Sequence, residues 1–308
     1  YAQLVADSEI GKSNPAIHLL LFDLALQSGE LATMGKSLEQ VRTIEGRGPL
    51  WKVGEAVRLT IQADGLPESQ LAEREALNAQ AINILAEAAV ERPAWARIPS
   101  LKGEMFDRQG RKELAIAEYL KAINLGEQSP SLISRALFLL FEQGRYGEAD
   151  QVVEKLQKQE TPFSTDVARV ASEVSLKLDN PERALSLMKE SAAQSDKQED
   201  HTVLAQLYGI NNNPVEAVKE FRTAIAIDPA APGPWVSLVQ MLCRAEKLDE
   251  ARAVIEEAQA AIGTGDSANA LAQCYEALKE FEVAQERYEQ ALAERPDDPA
   301  QLRRNAQF

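Results

Sequence analysis

The side chains best suited to acid–base or metal chemistry are scarce in this chain. Its 308 residues include only two histidines, His18 and His201, which are 183 positions apart. Catalytic proton transfer and metal binding both need several such groups that converge on one point. Two isolated histidines are better explained as partly buried structural residues, so we predict neither catalysis nor a metal ion at either.

Three short segments match part of a chemical motif and lack the remainder. Ser186 and Lys189 have the spacing of a Ser–Lys nucleophile pair, but Met188 between them falls on a predicted core position. The Gly-x-Gly stretches at 46–48 and 263–265 lack the other residues of a phosphate-binding loop. The sequence therefore predicts a protein that is not an enzyme and uses no cofactor.

The two cysteines also give no indication of catalysis or metal binding. Cys243 and Cys274 are 31 residues apart, each among apolar neighbours on a predicted helix. This spacing is not that of a zinc site, and we interpret both as small buried apolar residues rather than as a disulfide or a metal pair.

Charge narrows the possible partners. Acidic residues outnumber basic ones 48 to 33, for a net charge of −15. Such a balance opposes binding to nucleic acid and to anionic membranes. No signal peptide or 18-residue apolar run is present, and we expect a soluble segment. The sequence leaves the compartment open, with the cytoplasm slightly favoured over the periplasm.

A periodic alanine indicates the helices that position these residues. It recurs every 33 to 35 residues, at Ala81, Ala115, Ala149, Ala184, Ala217, Ala251 and Ala284. A repeat of this length is one helix–turn–helix unit, which buries its apolar side only by stacking on its neighbours. In the clearest copy, Phe221 and Ala224 follow Ala217 at helical spacing, so that a large residue lies between two small ones.

This pattern resembles the tetratricopeptide repeat over almost the whole chain. In that family small, large and small residues line the second helix, and a proline closes the unit, here Pro93, Pro229 and Pro296. Glu127, Thr161 and Gly263 replace the proline in other copies, and Trp235 occupies the family's tryptophan position. The resemblance implies an all-α, right-handed superhelical solenoid of about eight helix pairs.

We expect a single solenoid over residues 1–308 that is a piece of a longer array. The predicted parts are the end of a preceding repeat at 1–13, two irregular repeats at 14–94, six regular repeats at 95–298 and a truncated helix at 299–308. Trp51 lies 30 residues before Ala81, whereas Trp235 lies 16 before Ala251. The 14 extra residues predict lengthened helices in the second irregular repeat.

The resemblance also implies that the first helices of the repeats line a concave groove. The candidate groove residues are Arg97, Glu104, Arg108, Arg135, Phe138, Phe141, Arg169, Glu173, Lys177, Gln206, Gln240, Arg244 and Gln273. In one interpretation the arginines bind carboxylates of a peptide and the two phenylalanines anchor it. In the other, the arginines pair with neighbouring acids and the phenylalanines belong to the core.

Taken together, these features predict a non-enzymatic scaffold that binds a protein or peptide segment in the groove. Two alternatives stay open at this point. The segment is a regulatory or substrate-presenting arm of a larger enzyme, or it is an architectural module that self-associates end to end.

Overall fold

A computed structural model describes residues 9–160, 162–193, 195–262 and 267–308, with the backbone alone at 9, 10 and 31. All regular secondary structure in these ranges is helical, and they contain no β-strand, which confirms the predicted all-α solenoid of helix pairs. By its internal contacts the chain divides into two compact units, Tyr1–Gln143 and Gly144–Phe308. Residues 1–8, Thr161 and the 263–265 motif lie outside the described residues.

Unit 1 consists largely of helical hairpins. Its helices are α1 (Glu9–Lys12), α2 (Pro15–Ser28), α3 (Leu31–Glu45), α4 (Pro49–Asp64), α5 (Leu71–Glu91), α6 (Arg97–Arg108), α7 (Lys112–Asn124) and α8 (Pro130–Glu142). The helices pack pairwise, α2 on α3, α4 on α5 and α6 on α7. A 3₁₀ turn at Glu68–Gln70 precedes α5.

Unit 2 repeats the same arrangement. Its helices are α9 (Tyr146–Lys158), α10 (Thr165–Lys177), α11 (Pro181–Ala192), α12 (Gln198–Ile210), α13 (Pro214–Ile227), α14 (Pro232–Arg244), α15 (Leu248–Ala261), α16 (Ser267–Ala277), α17 (Phe281–Glu294) and α18 (Pro299–Gln307). The hairpins are α10 with α11, α12 with α13, α14 with α15 and α16 with α17.

Proline and short polar side chains set where several helices begin. Pro15, Pro214 and Pro299 each occupy the first residue of a helix, where the missing N–H has no intrahelical partner to lose. The Asn14 side chain accepts a hydrogen bond from the Ala16 amide at 3.0 Å and so caps α2.

The turns inside the repeats share one backbone geometry. A residue in the left-handed region follows the first helix in four successive hairpins of unit 2: Asp179, Asn212, Glu246 and Lys279. The next amide then donates to a carbonyl five residues back, as Lys247 does to Leu242 at 3.0 Å. This is the Schellman type of helix end, which glycine usually occupies.

The periodic alanines form the inside of both units. All seven are completely buried, which confirms that they face the core rather than water. The large residue of each copy fills the space between them, as Phe221 and Tyr288 do at 2% exposure each. On α6, Gly103 continues the pattern, because a Cβ there would lie 2.5 Å from the Tyr119 ring.

The second irregular repeat, formed by α4 and α5, differs from the regular repeats chiefly in the length of its second helix. Helix α5 has 21 residues and α4 has 16, whereas α6 and α7 have 12 and 13.

Within the described ranges, no helix combines the length and apolar character needed to cross a membrane.

Candidate functional site

Two arginines of α6 are already paired with acids of preceding first helices in unit 1. Arg97 donates to Asp23 on α2, with Nη2 and Oδ1 2.7 Å apart, and Arg108 Nη1 lies 3.0 Å from Asp64 Oδ2 at the end of α4. Glu104 lies one turn before Arg108, at 3.7 Å, and partial burial of its carboxyl raises its pKa. These ion pairs connect first helices to one another.

A third arginine of unit 1 forms two short hydrogen bonds to one carboxylate. Arg135 on α8 binds Asp107 through two parallel hydrogen bonds of 2.6 and 2.7 Å, and this guanidinium lowers the pKa of the Asp107 carboxyl. The Tyr119 hydroxyl donates to the same carboxylate at 3.4 Å. Arg135 also lies over the ring of Phe138, 5.3 Å from its centre.

The two candidate phenylalanines occupy different environments. Phe138 is 41% exposed, whereas Phe141 is half-buried. Phe138 is therefore not a core residue, and it is partly exposed to solvent beside Arg135.

In unit 2, the candidate residues of α10 lie along one helix. Arg169 donates to Asp166 one turn earlier, and Glu173 and Lys177 are exposed one turn apart further along. Two serine hydroxyls of α10 bond back to the helix, as Ser172 does to Ala168 at 2.7 Å.

A cleft of about 500 Å³ lies between α12 and α14. Gln206, Gln240 and Arg244 line it together with the apolar side chains of Ile210 and Met241. Arg244 is exposed, and its Nε donates to the Gln240 carbonyl at 3.3 Å. The described part of the chain places no carboxylate within ion-pairing distance of Arg244.

A second cleft, of about 440 Å³, adjoins the first through Gln240 and includes Gln273 of α16. Gln273 donates to the Asn269 carbonyl at 3.2 Å, and the Tyr288 hydroxyl donates to Glu276 at 2.6 Å. The structure thus brings together Gln206 of α12, Gln240 and Arg244 of α14, and Gln273 of α16, which were predicted from three repeats.

Residues 265–298, which span α16, α17 and the closing Pro296, match the family model for the tetratricopeptide repeat. These residues are a tetratricopeptide repeat. A comparison with curated proteins finds no significant match.

Solved structures extend the comparison to most of the chain. The C-terminal part of a tetratricopeptide-repeat-containing protein from Cytophaga hutchinsonii is similar with a TM-score of 0.53 and 14% identity, covering 73% of this chain and 93% of that one. YrrB, described as a tetratricopeptide-repeat protein with an unusual peptide-binding site, gives 0.52 and 17%, covering 63% and 97%. The protein has the tetratricopeptide-repeat fold.

The two histidines lie in structural surroundings. His201 lies 2.7 Å from Glu220 through Nδ1 and 3.1 Å from the Ser195 carbonyl through Nε2, and so connects α12 to α13. His18 is buried on α2. Among the residues that the structure describes, no three or more His, Cys, Asp or Glu side chains are grouped to hold a metal ion.

Both cysteines are free thiols on first helices of adjacent repeats. Cys274 is buried, and this burial raises its pKa to about 12. Cys243 is half-buried, and desolvation raises its pKa as well. A raised thiol pKa reduces the thiolate fraction at neutral pH and hence the reactivity of both residues.

Sequence reasoning missed the apolar part of the α12–α14 cleft. Ile210 is 56% exposed at the end of α12, beyond the stripe that packs into the core. Its only signal in the sequence is a large apolar residue directly before the polar turn Asn211–Asn213. Met241 faces the cleft from α14 and was likewise outside the predicted set.

Proposed function

We propose that this protein is a non-enzymatic scaffold that binds a segment of a partner protein in the cleft between α12 and α14. The observation that carries the proposal is the state of the arginines. Arg97, Arg108 and Arg135 each have an aspartate as partner, whereas Arg244 is exposed at the cleft and forms no ion pair with an acid of the described residues.

The side chains of the cleft supply what a peptide needs. The Arg244 guanidinium offers a planar set of N–H donors that fits a carboxylate in two parallel hydrogen bonds. Gln206 and Gln240 carry amides that both donate and accept, and so match the N–H and C=O groups of an extended backbone. Ile210 and Met241 offer an apolar surface, and methionine adapts to differently shaped side chains.

The ligand inferred from this chemistry is an extended segment with a carboxylate next to an apolar residue. The repeats present the cleft on helices rather than on loops, so the cost of ordering falls mainly on the partner. A peptide-binding site in YrrB, whose fold is similar, supports a role of this kind.

The paired arginines of unit 1 have a different role in the proposal. Breaking the Arg135–Asp107 pair would leave the half-buried Asp107 carboxylate without its guanidinium, so a ligand that competes for Arg135 loses part of what it gains. We therefore assign Arg97, Arg108 and Arg135 to fixing the first helices, and Phe138 to an exposed apolar contact beside them.

The test is a selection of random displayed peptides on the full-length protein, followed by affinity measurement with a purified variant. For peptides that carry a carboxylate, Arg244→Glu is expected to weaken binding at least tenfold, which corresponds to about 1.4 kcal/mol. Lys189→Glu changes the charge equally at an exposed position of the second helix α11 and is expected to stay within twofold. Equal affinity of wild type and Arg244→Glu for every selected peptide would contradict the proposed role of this cleft.

A further inference from the structure

The long helix of the irregular repeat extends past its neighbours. Helix α7 begins three residues before its repeat alanine, at Lys112 for Ala115, and α13 does the same before Ala217. Helix α5 begins ten residues before Ala81. It is therefore longer by seven residues at this end, about 10 Å or two helical turns at 1.5 Å per residue.

Helix α5, from this extension onward, forms one wall of a cleft of about 770 Å³ in unit 1. Its residues there follow helical spacing and make one stripe: Leu71, Arg74, Glu75, Asn78, Ala79 and Ile82. The opposite wall is the end of α6 and the turn Gln109–Arg111. Because α7 starts only at Lys112, the regular repeat provides no second helix beside the first part of the stripe, from Leu71 to Glu75.

Apolar and amide groups are combined along the cleft. Leu71 is 56% exposed, and Ile82 is half-buried, so the stripe leaves apolar surface in contact with solvent. Asn78 lines the cleft from the α5 wall and Gln109 lines it from the opposite wall. Both side chains are amides, which suit the N–H and C=O groups of a peptide backbone. The volume lies within the range of sites that enclose a small ligand or a few side chains.

Two of the three arginines at the cleft are engaged. Arg74 donates to the carbonyls of Ala63, at 3.2 Å, and Leu66, and so caps the end of α4. Arg108 pairs with Asp64. Both guanidinium groups nevertheless add positive charge to the walls of the cleft.

The third arginine is available to a ligand. The Arg111 guanidinium lies over the Phe106 ring, 4.9 Å from its centre, and its polar contact is Gln109 at 3.5 Å. No carboxylate pairs with it among the described residues. With Asp64 and Glu75 as the acids of its lining, the cleft carries excess positive charge in a chain of net charge −15. Charge complementarity therefore selects an acidic ligand.

We infer that this cleft binds a short acidic segment of a partner protein. A carboxylate of the segment pairs with Arg111, and an adjacent apolar side chain packs on the stripe between Leu71 and Ile82. The site belongs to unit 1 and shares no residue with the cleft between α12 and α14, so either assignment holds or fails without the other.

The experiment tests this cleft independently of the cleft between α12 and α14. Random dodecapeptides are displayed and selected on the full-length Arg244→Glu variant, which lacks the cation of the other cleft. We expect enriched peptides that contain Asp or Glu beside Leu, Ile or Phe. Failure to enrich any peptide, or a consensus without acidic residues, would overturn the inference.

Variants then locate the binding. In the Arg244→Glu background, Ala79→Trp fills the cleft and Arg111→Glu reverses its charge, and each is expected to weaken the selected peptides at least tenfold. Gln80→Trp, on the neighbouring face of α5, and Lys36→Glu, an equal charge change on α3, are matched controls expected within twofold. All four positions are exposed, and circular dichroism verifies folding of each variant.

Two outcomes would count against the assignment at this stage. Peptides that bind Ala79→Trp as tightly as the parent occupy another surface, and equal binding to Arg111→Glu would exclude the carboxylate contact. Light scattering adds a third criterion. Self-association of the wild-type protein that Ala79→Trp abolishes would assign the cleft to a second copy of the chain instead.

Discussion

At the scale of single residues, the Asp107 carboxylate shows how the first helices of unit 1 are fixed. It accepts hydrogen bonds from Arg135 on α8 and from Tyr119 on α7. The guanidinium hydrogen bonds lower the pKa of Asp107, whereas burial acts in the opposite direction and is the smaller effect. A charged Asp107 is therefore the form that stabilises the fold.

This pair predicts a pH-dependent contribution to stability. A carboxyl whose folded pKa is lowered stabilises the protein above its unfolded pKa of about 3.9, and the effect is lost as the pH falls through the folded value. Since solvent screens the partly exposed Arg135, we expect Arg135→Gln to reduce the free energy of unfolding by about 0.5–1 kcal/mol above pH 5. The difference from wild type should shrink below pH 4.

Urea unfolding between pH 3 and pH 7 measures this difference, and NMR titration of the Asp107 carboxyl reports its pKa directly. Arg42→Gln is the control, because its partner Glu39 lies one turn away with both side chains more than half exposed. We expect that change to be close to neutral at every pH. A constant difference for Arg135→Gln from pH 3 to pH 7 would contradict the assigned role of Asp107.

The sequence alone could not predict which of the candidate arginines form ion pairs with acids of other helices. Arg97 meets Asp23 across 74 positions of the chain, and Arg135 meets Asp107 across 28. Helical spacing places a side chain on a face of its own helix, but it does not tell which acid of another helix lies opposite. The burial of Ala217 was predictable because it depends only on the local period of the repeat.

At the scale of helices and turns, the hairpins of unit 2 share a strained position. Glu246 has φ 58° and Lys279 has φ 63°, where residues with a Cβ are disfavoured. The corresponding turn after α6 has glycine, at Gly110 with φ 71°. The fold thus imposes this geometry whether or not the local sequence favours it.

We expect Glu246→Gly to stabilise the protein by about 0.5–1 kcal/mol. Relief of the left-handed strain is worth roughly 1–2 kcal/mol, and the extra flexibility of glycine in the unfolded chain offsets part of it. Glu256→Gly, at an exposed interior position of α15, should instead cost about 1 kcal/mol. Thermal and urea unfolding compare the two variants, and destabilisation by both would show that the turn is not strained.

Helix boundaries were predictable where proline or glycine marks them, as at Pro15 and Pro214. The left-handed turn positions were not, since glutamate and lysine give no signal for positive φ. The spacing from Trp51 to Ala81 indicated a longer repeat, and most of the extra length lies in α5. The open stripe of α5 depends on where α7 begins, which is a property of the neighbouring repeat.

At the scale of the molecule, stability depends on stacking of one hairpin on the next. In unit 2 one cluster joins Ala184 and Met188 of α11 with Tyr208 and Ala217 of the following hairpin. Another joins Phe221 with Trp235 and Ile255 of the hairpin after that. Each cluster is completed only by side chains from two or more repeats, as expected for a solenoid.

Stacking of this kind predicts that folding depends on the number of repeats. The fragment 162–308 keeps four complete hairpins and both clusters, together with Phe163, which packs against one of them. It also retains Ser164, whose side chain accepts from the Val167 amide. We expect it to be helical and to unfold cooperatively. The single hairpin 198–229 should be largely unfolded, because without α11 and α14 its Ala217 and Phe221 would face water. Circular dichroism with urea unfolding compares the two fragments, and a hairpin as helical per residue as the longer fragment would refute the dependence on stacking.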